Sequence, residues 1–482
     1  MLFNSIQFAV FLPLVFLLYW WIGPKNLRYQ NILLFVASYF FYACWDWRFL
    51  FLLMFSTLLD YFTGLKMENC KSQKNKKFWF WLSILINLGF LGVFKYYNFF
   101  VESFAQAVAN FGLTVHTTTL NIILPVGISF YTFHGLSYVI DIYKGRITAE
   151  KNFIDYALFV SFFPLLVAGP IERATHLLPQ LKRERVFNLD NMKDGLRQIL
   201  WGLFKKIVIA DQCAQYANQI FNNSDELNGS SLAFGALFFT FQMYGDFSGY
   251  SDIAIGTARL FGVDLLRNFA YPYFSRDIAE FYRRWHISLS SWLRDYVYIP
   301  LGGSKTNTPK MIRNIFIVFI LSGFWHGANW TFIAWGTINA IYFLPLILTN
   351  THRKNIEIVA KGKLMPTFRE FSGIVITFGL TAFSRIFFRS ENITHAFSYI
   401  GKLFSSSLFL APDFEEKKIA MLLIGVTLVF LFIEWIGREQ PHALKTFGLN
   451  WKRPARWTFY YVLIAAIVLY GGKEQQFIYF QF

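Results

Sequence analysis

Long apolar runs separated by short polar stretches recur from one end of this chain to the other. A helix needs about 20 residues to cross a hydrocarbon core. On that measure the pattern predicts helices at roughly 5–22, 30–45, 49–65, 78–96, 121–143, 153–170, 198–211, 231–245, 313–333, 334–349, 372–388, 418–436 and 456–472. Several are shorter than a full crossing, so some must be tilted, re-entrant or buried, and about 10 to 13 crossings are expected. The run at 153–170 is interrupted by Pro164 and by Gly169-Pro170. Irregular backbone at membrane depth is tolerated only inside protein or along a water-filled cavity. The middle of the chain is therefore expected to build a cavity.

Lysine and arginine in short loops set the orientation. KMENCKSQKNKK (66–77) carries five lysines against one glutamate, and the loop after the first run has Lys25 and Arg28. Both are expected in the cytoplasm. The stretch 97–120 has Glu102 as its only charge and is expected outside, which puts the N-terminus outside as well. KGRITAEK (144–151) then falls inside. A full crossing at 153–170 would put the basic stretch 171–186 outside, and a broken or re-entrant helix resolves that conflict. The opening run lacks a basic n-region and a small-residue cleavage site, so it reads as a first span rather than a signal peptide.

Composition agrees with a membrane protein. Hydrophobic residues make up 55% of the 482, and charged residues only 15%, against about 25% in soluble domains. No internal repeat is visible, and the chain reads as one membrane domain over residues 1–482. The net charge of +16 lies in short basic clusters between apolar runs. That distribution suits loops facing anionic lipid headgroups, or an anionic substrate, better than nucleic acid. Cys44, Cys70 and Cys213 form no CxxC pair, so neither a disulfide framework nor a metal cluster is implied.

Three polar stretches interrupt the apolar background. The first is FWHGANW (324–330). An ionisable residue in an apolar run is costly and usually faces a bundle interior or a wet cavity. His326 lies between Gly323 and Gly327, with Trp325 beside it and Asn329 and Trp330 expected within one helical turn. A neutral imidazole there can serve as a general base, or can be a core histidine held by one hydrogen bond. The second is AEFYRRWHISLSSWLRDYVYIPLGG (279–303). Read as one helix, it puts Arg283, His286, Ser290 and Arg294 on one face. It can lie at the interface as a basic amphipathic helix, or Arg283, Arg284 and Arg294 can bind phosphates. The third is QMYGDFSGYSDIAIG (242–256). Asp246 and Asp252 need partners if buried, and can hold a histidine or arginine or cap a helix.

The remaining histidines read as surface or structural: His116, His176, His352, His395 and His442. His134, inside an apolar run, is a weaker functional candidate than His326. The C-terminal third adds little chemistry beyond Arg385 and Arg389. No Walker motif, HExxH or Rossmann fingerprint occurs, and two histidines without further ligands make a metal site a poor reading.

Together, FYRRWHISLSSWLRDYVYIPLGG and SGFWHGANWTFIAWG resemble the membrane-bound O-acyltransferase superfamily, most closely its alginate O-acetyltransferase branch. LPVGISFYTFHGLSYVIDIYKG, FFPLLVAGPIER and QMYGDFSGYSDIAIG support the match in the family's order. The resemblance implies an all-α, polytopic fold around a central tunnel or funnel in a bacterial cytoplasmic (inner) membrane. It implies His326 and His286 as the catalytic pair; the residues themselves offer Arg283, Arg284, Arg294, Asn329, Trp325 and Asp246 as donor- or substrate-binding candidates beside them. It further implies acetyl transfer from acetyl-CoA to an exported or cell-wall polysaccharide, directly or through periplasmic acetyltransferase partners. His326 would act as general base or, by the rival route, as nucleophile. No bound cofactor or metal is expected. Within the family, peptidoglycan O-acetylation and teichoic acid D-alanylation are the alternatives. A transporter with a histidine proton relay is the reading from another class, though such folds carry repeats that this chain lacks.

Overall fold

The computed structural model describes residues 1–23, 26–115, 118–120, 123–472, 475, 477 and 478. Lys25 and His116 lie outside them. Every regular element among the described residues is helical. In chain order they are α1 (Ile6–Ile22), α2 (Leu27–Ala43), α3 (Leu50–Asn69), α4 (Gln73–Leu91), α5 (Tyr97–Ala109), α6 (Ile128–Tyr143), α7 (Phe153–Ser161), α8 (Ala174–Leu181), α9 (Leu189–Leu203) and α10 (Asp211–Asn222). There follow α11 (Gly229–Leu260), α12 (Ile278–Arg284), α13 (Ile287–Leu293), α14 (Thr308–His326), α15 (Trp330–Leu348), α16 (Phe368–Arg389), α17 (Ile393–Leu403), α18 (Lys417–Gly437) and α19 (Arg453–Tyr470).

Among the described residues, five helical stretches are long and apolar enough to cross a membrane: Trp47–Asn69, Gln73–Ala109, Trp330–Leu348, Phe368–Arg389 and Lys417–Gly437. The protein is a multi-pass membrane protein, but not every apolar run is a crossing. Some are core helices: α6 is buried along most of its length, and α7 has only nine residues. At 1.5 Å per residue α7 is far too short to span.

The chain packs as two compact units where the sequence reads as one domain. One comprises residues 1–195 and 257–266, the other 196–256 and 267–482. Of the three points of division, two fall inside helices, α9 and α11, and the third, at 266/267, lies between α11 and α12.

In the first unit, α3, α4 and α6 pack together around a polar centre. The Ser83 hydroxyl and the Asn87 amide donate to Asp60 Oδ1 at 2.6 and 2.8 Å. Gly135 leaves room for that carboxylate, since a Cβ there would lie 1.9 Å from Asp60 Oδ2. The helix expected over 153–170 ends at Ser161, and residues 162–173 run as buried irregular backbone. Side chains and local turns take up its polar groups, as the hydrocarbon interior demands. Phe163 N donates to Ser38 Oγ at 3.0 Å, and Glu172 N to His134 Nε2 at 3.1 Å. His134 therefore holds backbone. The fully buried Glu172 accepts from Leu266 N at 2.6 Å and sits 2.7 Å from His176 Nδ1.

In the second unit, α9 passes through a π-helical turn, Phe204–Ala210, into α10. The wider turn brings the adjacent Lys205 and Lys206 both into the core. Lys205 pairs with Asp252 at 2.5 Å, with Glu434 of α18 at 3.9 Å. Lys206 pairs with Asp211 at 2.7 Å and Asp246 at 2.8 Å. Asp246 and Asp252 lie in the interior of the 32-residue α11. Neither caps a helix, and lysines are their ionic partners, not the expected histidine or arginine.

α14 and α15 form a tight antiparallel hairpin. A Cβ on Gly323 would lie 2.2 Å from Phe332 O, and one on Gly336 2.3 Å from Phe319 O. The backbones thus meet with no side chain between them. The break between these helices falls at residues 327–329, earlier than the predicted boundary at 333.

Three outcomes follow from this packing. Gly336→Val should lower the unfolding midpoint in detergent, because the opposing atom is backbone and cannot turn aside; overpacking of this kind costs about 1–3 kcal/mol. Lys206→Met should cost about 3–5 kcal/mol in the same assay, since two buried carboxylates lose their cation. Asp246→Asn in the same chain should recover part of that. His176 lies outside every span-length helix, and hydrogen bonding to Glu172 raises its imidazole above 6.5. The pair's stabilisation should be complete below pH 6.5 and fade as pH rises through the raised folded value. Midpoints measured across that window should show the step in wild type and not in His176→Gln.

Candidate active site

Two breaks in helical backbone build the site. The stretch 279–303, expected as one helix, is two. α12 ends at Arg284, Trp285 is extended, and His286 takes a left-handed conformation at φ 45°, ψ 55° before α13 begins. That conformation costs a non-glycine residue about 1–2 kcal/mol. Neighbouring backbone holds the corner: Ala270 N donates to Arg284 O, and Ile287 N to Asn268 O, both at 2.9 Å. Asn268 also accepts from Ser288 Oγ at 2.6 Å and donates to Ser251 Oγ at 3.0 Å.

The second break follows His326, which is the last residue of α14 and not mid-helix. Gly327 is extended, and a Cβ on it would strike the Phe332 ring at 2.1 Å. Asn329 caps α15 by accepting from Thr331 N at 3.0 Å, and its amide donates to Glu391 O at 2.8 Å.

These breaks bring the two imidazoles to a centroid separation of 6.4 Å. Both residues are buried, His286 at 2% and His326 at 5% exposure. The Trp325 ring lies 5.7 Å from His286 and 4.9 Å from His326. Phe247 meets His286 edge-on at 4.6 Å, and Trp335 and Phe388 meet His326 at 5.2 Å each. The aromatic collar restrains both rings.

Both histidines line a cavity of about 540 Å³. Ile315, Val318, Phe319, Phe343 and Ile347 give it apolar walls, while Arg283, Arg294, Ser304, His352 and Arg353 supply polar groups. Arg283, His286, Ser290 and Arg294 all reach this space although no single helix face presents them. Such a lining offers apolar surface along its walls and cationic groups for an anionic part of a ligand.

The other sequence candidates take different places. Arg284 is spent on Glu280, at 2.8 and 3.0 Å, and on the carbonyls of Ala270 and Glu357. Asn329, Trp325 and Asp246 do not line the cavity. Asn329 is a cap, Trp325 packs against the histidine pair, and Asp246 pairs with Lys206 and accepts from Ile478 N at 2.7 Å. Arg283 lines the cavity while donating to the carbonyls of His352 and Asn355 at 3.0 and 2.7 Å. Arg294 pairs with Asp295 at 2.7 Å and remains largely exposed.

Sequence reasoning gave no role to Tyr298, Ser304 and Arg353, and it read His352 as surface or structural. For His352 and Arg353 the one signal was the basic HRK run just beyond α15. Among the described residues, no group of three or more His, Cys, Asp or Glu side chains is placed to hold a metal ion.

Comparison with known proteins bears on this arrangement. A model of the membrane-bound O-acyltransferase family matches residues 147–384. A probable alginate O-acetylase of Azotobacter vinelandii is 39% identical, over 92% of this chain and 86% of its own. One from Pseudomonas putida is 37% identical over the full length of both. A peptidoglycan O-acetyltransferase of Helicobacter pylori is 37% identical, over 82% of this chain and 78% of its own. Similarity of this depth along nearly the whole chain makes the protein a member of the membrane-bound O-acyltransferase family, an O-acyltransferase of its alginate O-acetylase-like branch.

Proposed function

We propose that this enzyme takes an acetyl group from acetyl-CoA on the cytoplasmic side of a bacterial inner membrane. It delivers the group to hydroxyls of an exported or cell-wall polysaccharide, directly or through a periplasmic partner. The observation that carries the reading is the pair of buried imidazoles 6.4 Å apart on the wall of one cavity. Arginines at that cavity suit the phosphates of coenzyme A, and its apolar walls suit the pantetheine arm. Family membership among O-acyltransferases leaves the transporter reading without support.

In this mechanism His326 accepts the proton of an acceptor hydroxyl as its oxygen attacks the thioester carbon. The tetrahedral intermediate expels the coenzyme A thiolate, and the proton returns to that sulfur. No net proton is gained or lost. His286 orients the acceptor or stabilises the oxyanion. The alginate O-acetylase relatives favour a polysaccharide acceptor; the peptidoglycan relative keeps cell-wall glycan within the same chemistry.

The test is acetyl transfer from acetyl-labelled acetyl-CoA by the protein in nanodiscs, with alginate or peptidoglycan fragments as acceptor. His326→Ala should lower turnover by about 10²–10⁴-fold with an unchanged unfolding midpoint, and His286→Ala should lower it less. Label retained on the wild-type protein would favour a histidine nucleophile over a general base. Full turnover by folded His326→Ala would overturn its role. Transfer only from a D-alanyl carrier protein would overturn the donor.

A further inference from the structure

Arg385 lies on α16, a helix of span length, and is 2% exposed. Among the described residues no carboxylate pairs with it. A buried guanidinium without a counter-ion is costly, and an ionisable residue inside a span-length helix is a functional candidate by default. Its contacts form a frame. Nη1 donates to Thr240 O of α11 at 3.2 Å and to the Tyr273 hydroxyl, while that hydroxyl donates to the same carbonyl at 2.5 Å. The guanidinium lies 5.3 Å from the Tyr273 ring and 4.4 Å from the Trp285 ring. Among the described residues Nη2 has no hydrogen-bond partner. This cation is therefore held by one carbonyl, one phenol and two aromatic faces, an arrangement that a planar guanidinium fits and an ammonium does not.

Trp285 is the residue before His286, at the corner where the backbone turns left-handed. Its ring stacks on Phe281 at 5.5 Å and meets Phe269 edge-on at 5.0 Å, leaving Arg385 to cover another side. One turn along the same face of α16, Phe388 meets His326 at 5.2 Å. A single helix face thus supports both histidines, one through a direct ring contact and one through Trp285.

We infer that Arg385 is a positioning residue for the acyl transfer: by clamping the Trp285 indole it sets the orientation of His286. Arg385 does not line the cavity and touches no substrate in this scheme. The inference rests on the acyltransferase reading, so the experiment includes a readout that needs no turnover.

That readout is the rate at which diethyl pyrocarbonate modifies His286, followed by mass spectrometry on the full chain in nanodiscs. Arg385→Lys keeps the charge and loses the planar stack; Trp285→Phe loses the indole; Tyr273→Phe loses the phenol and keeps the ring. Each should change the His286 modification rate threefold or more. Each should also lower kcat tenfold or more per folded molecule; for Arg385→Lys and Tyr273→Phe, which lie off the cavity, the donor KM should stay within twofold, whereas Trp285 lines the cavity and its KM is not part of the comparison. Arg385→Lys combined with Trp285→Phe should be no worse than the more severe single change. If Arg385→Lys fails to fold, the Trp285 and Tyr273 variants carry the same comparison. Unchanged kcat per folded molecule overturns the inference, and so does lost activity with an unchanged His286 modification rate. An inactive wild type would count against the acyltransferase reading, while the modification rates would still decide the coupling of Arg385 to His286.

Discussion

Backbone hydrogen bonds between residues 268–270 and the corner at 284–287 hold the site together. A helix that breaks inside a membrane protein exposes amides and carbonyls that water cannot reach. Here Ala270 and Asn268 take two of them. With those bonds made, His286 can stay in a backbone conformation it would otherwise leave, and α12 and α13 can diverge. Asn268 does further work, since its side chain ties Ser288 to Ser251 of α11. The first unit answers the same constraint at residues 162–173, where Ser38 and His134 accept the amides of a buried irregular segment.

Charge is treated in two ways within the second unit. Lys205 and Lys206 enter the core side by side at a π-helical turn and are matched by carboxylates from α10, α11 and α18. Among the described residues Arg385 has no such match and is held by oxygen atoms and rings. The cavity itself is mainly apolar, with its arginines and histidines at particular points. A lining of this kind gives the imidazoles a poorly solvated surrounding, the setting in which the proposed proton transfer would be most effective.

Much of this was legible in the residues. His326 stood out because an imidazole in an apolar run demands a reason, and the glycines around it marked a close approach. Pro164 and Gly169-Pro170 announced the broken helix before any contact was known. Other features depended on contacts between remote segments. The helix expected through His286 does not form because tertiary hydrogen bonds to 268–270 outweigh local propensity. The partners of Asp246 and Asp252 lie some 40 residues upstream, and only a π-turn lets adjacent lysines reach them. His352 and Arg353 read as an ordinary basic loop, since nothing local says that the loop folds back over a cavity. Short, largely buried helices such as α7 looked like crossings because apolarity alone does not separate lipid from protein core.

The hairpin of α14 and α15 has one more consequence. Gly323 and Gly336 set main chain directly against main chain, so this joint has few rotamers to exchange and little room to slide. Bilayers differ in thickness, and span helices adapt by tilting. A joint of this kind tilts as one body, carrying His326 together with the cavity wall that α14 and α15 supply. The part of the proposed site that this hairpin carries is thereby insulated from the thickness of the surrounding lipid.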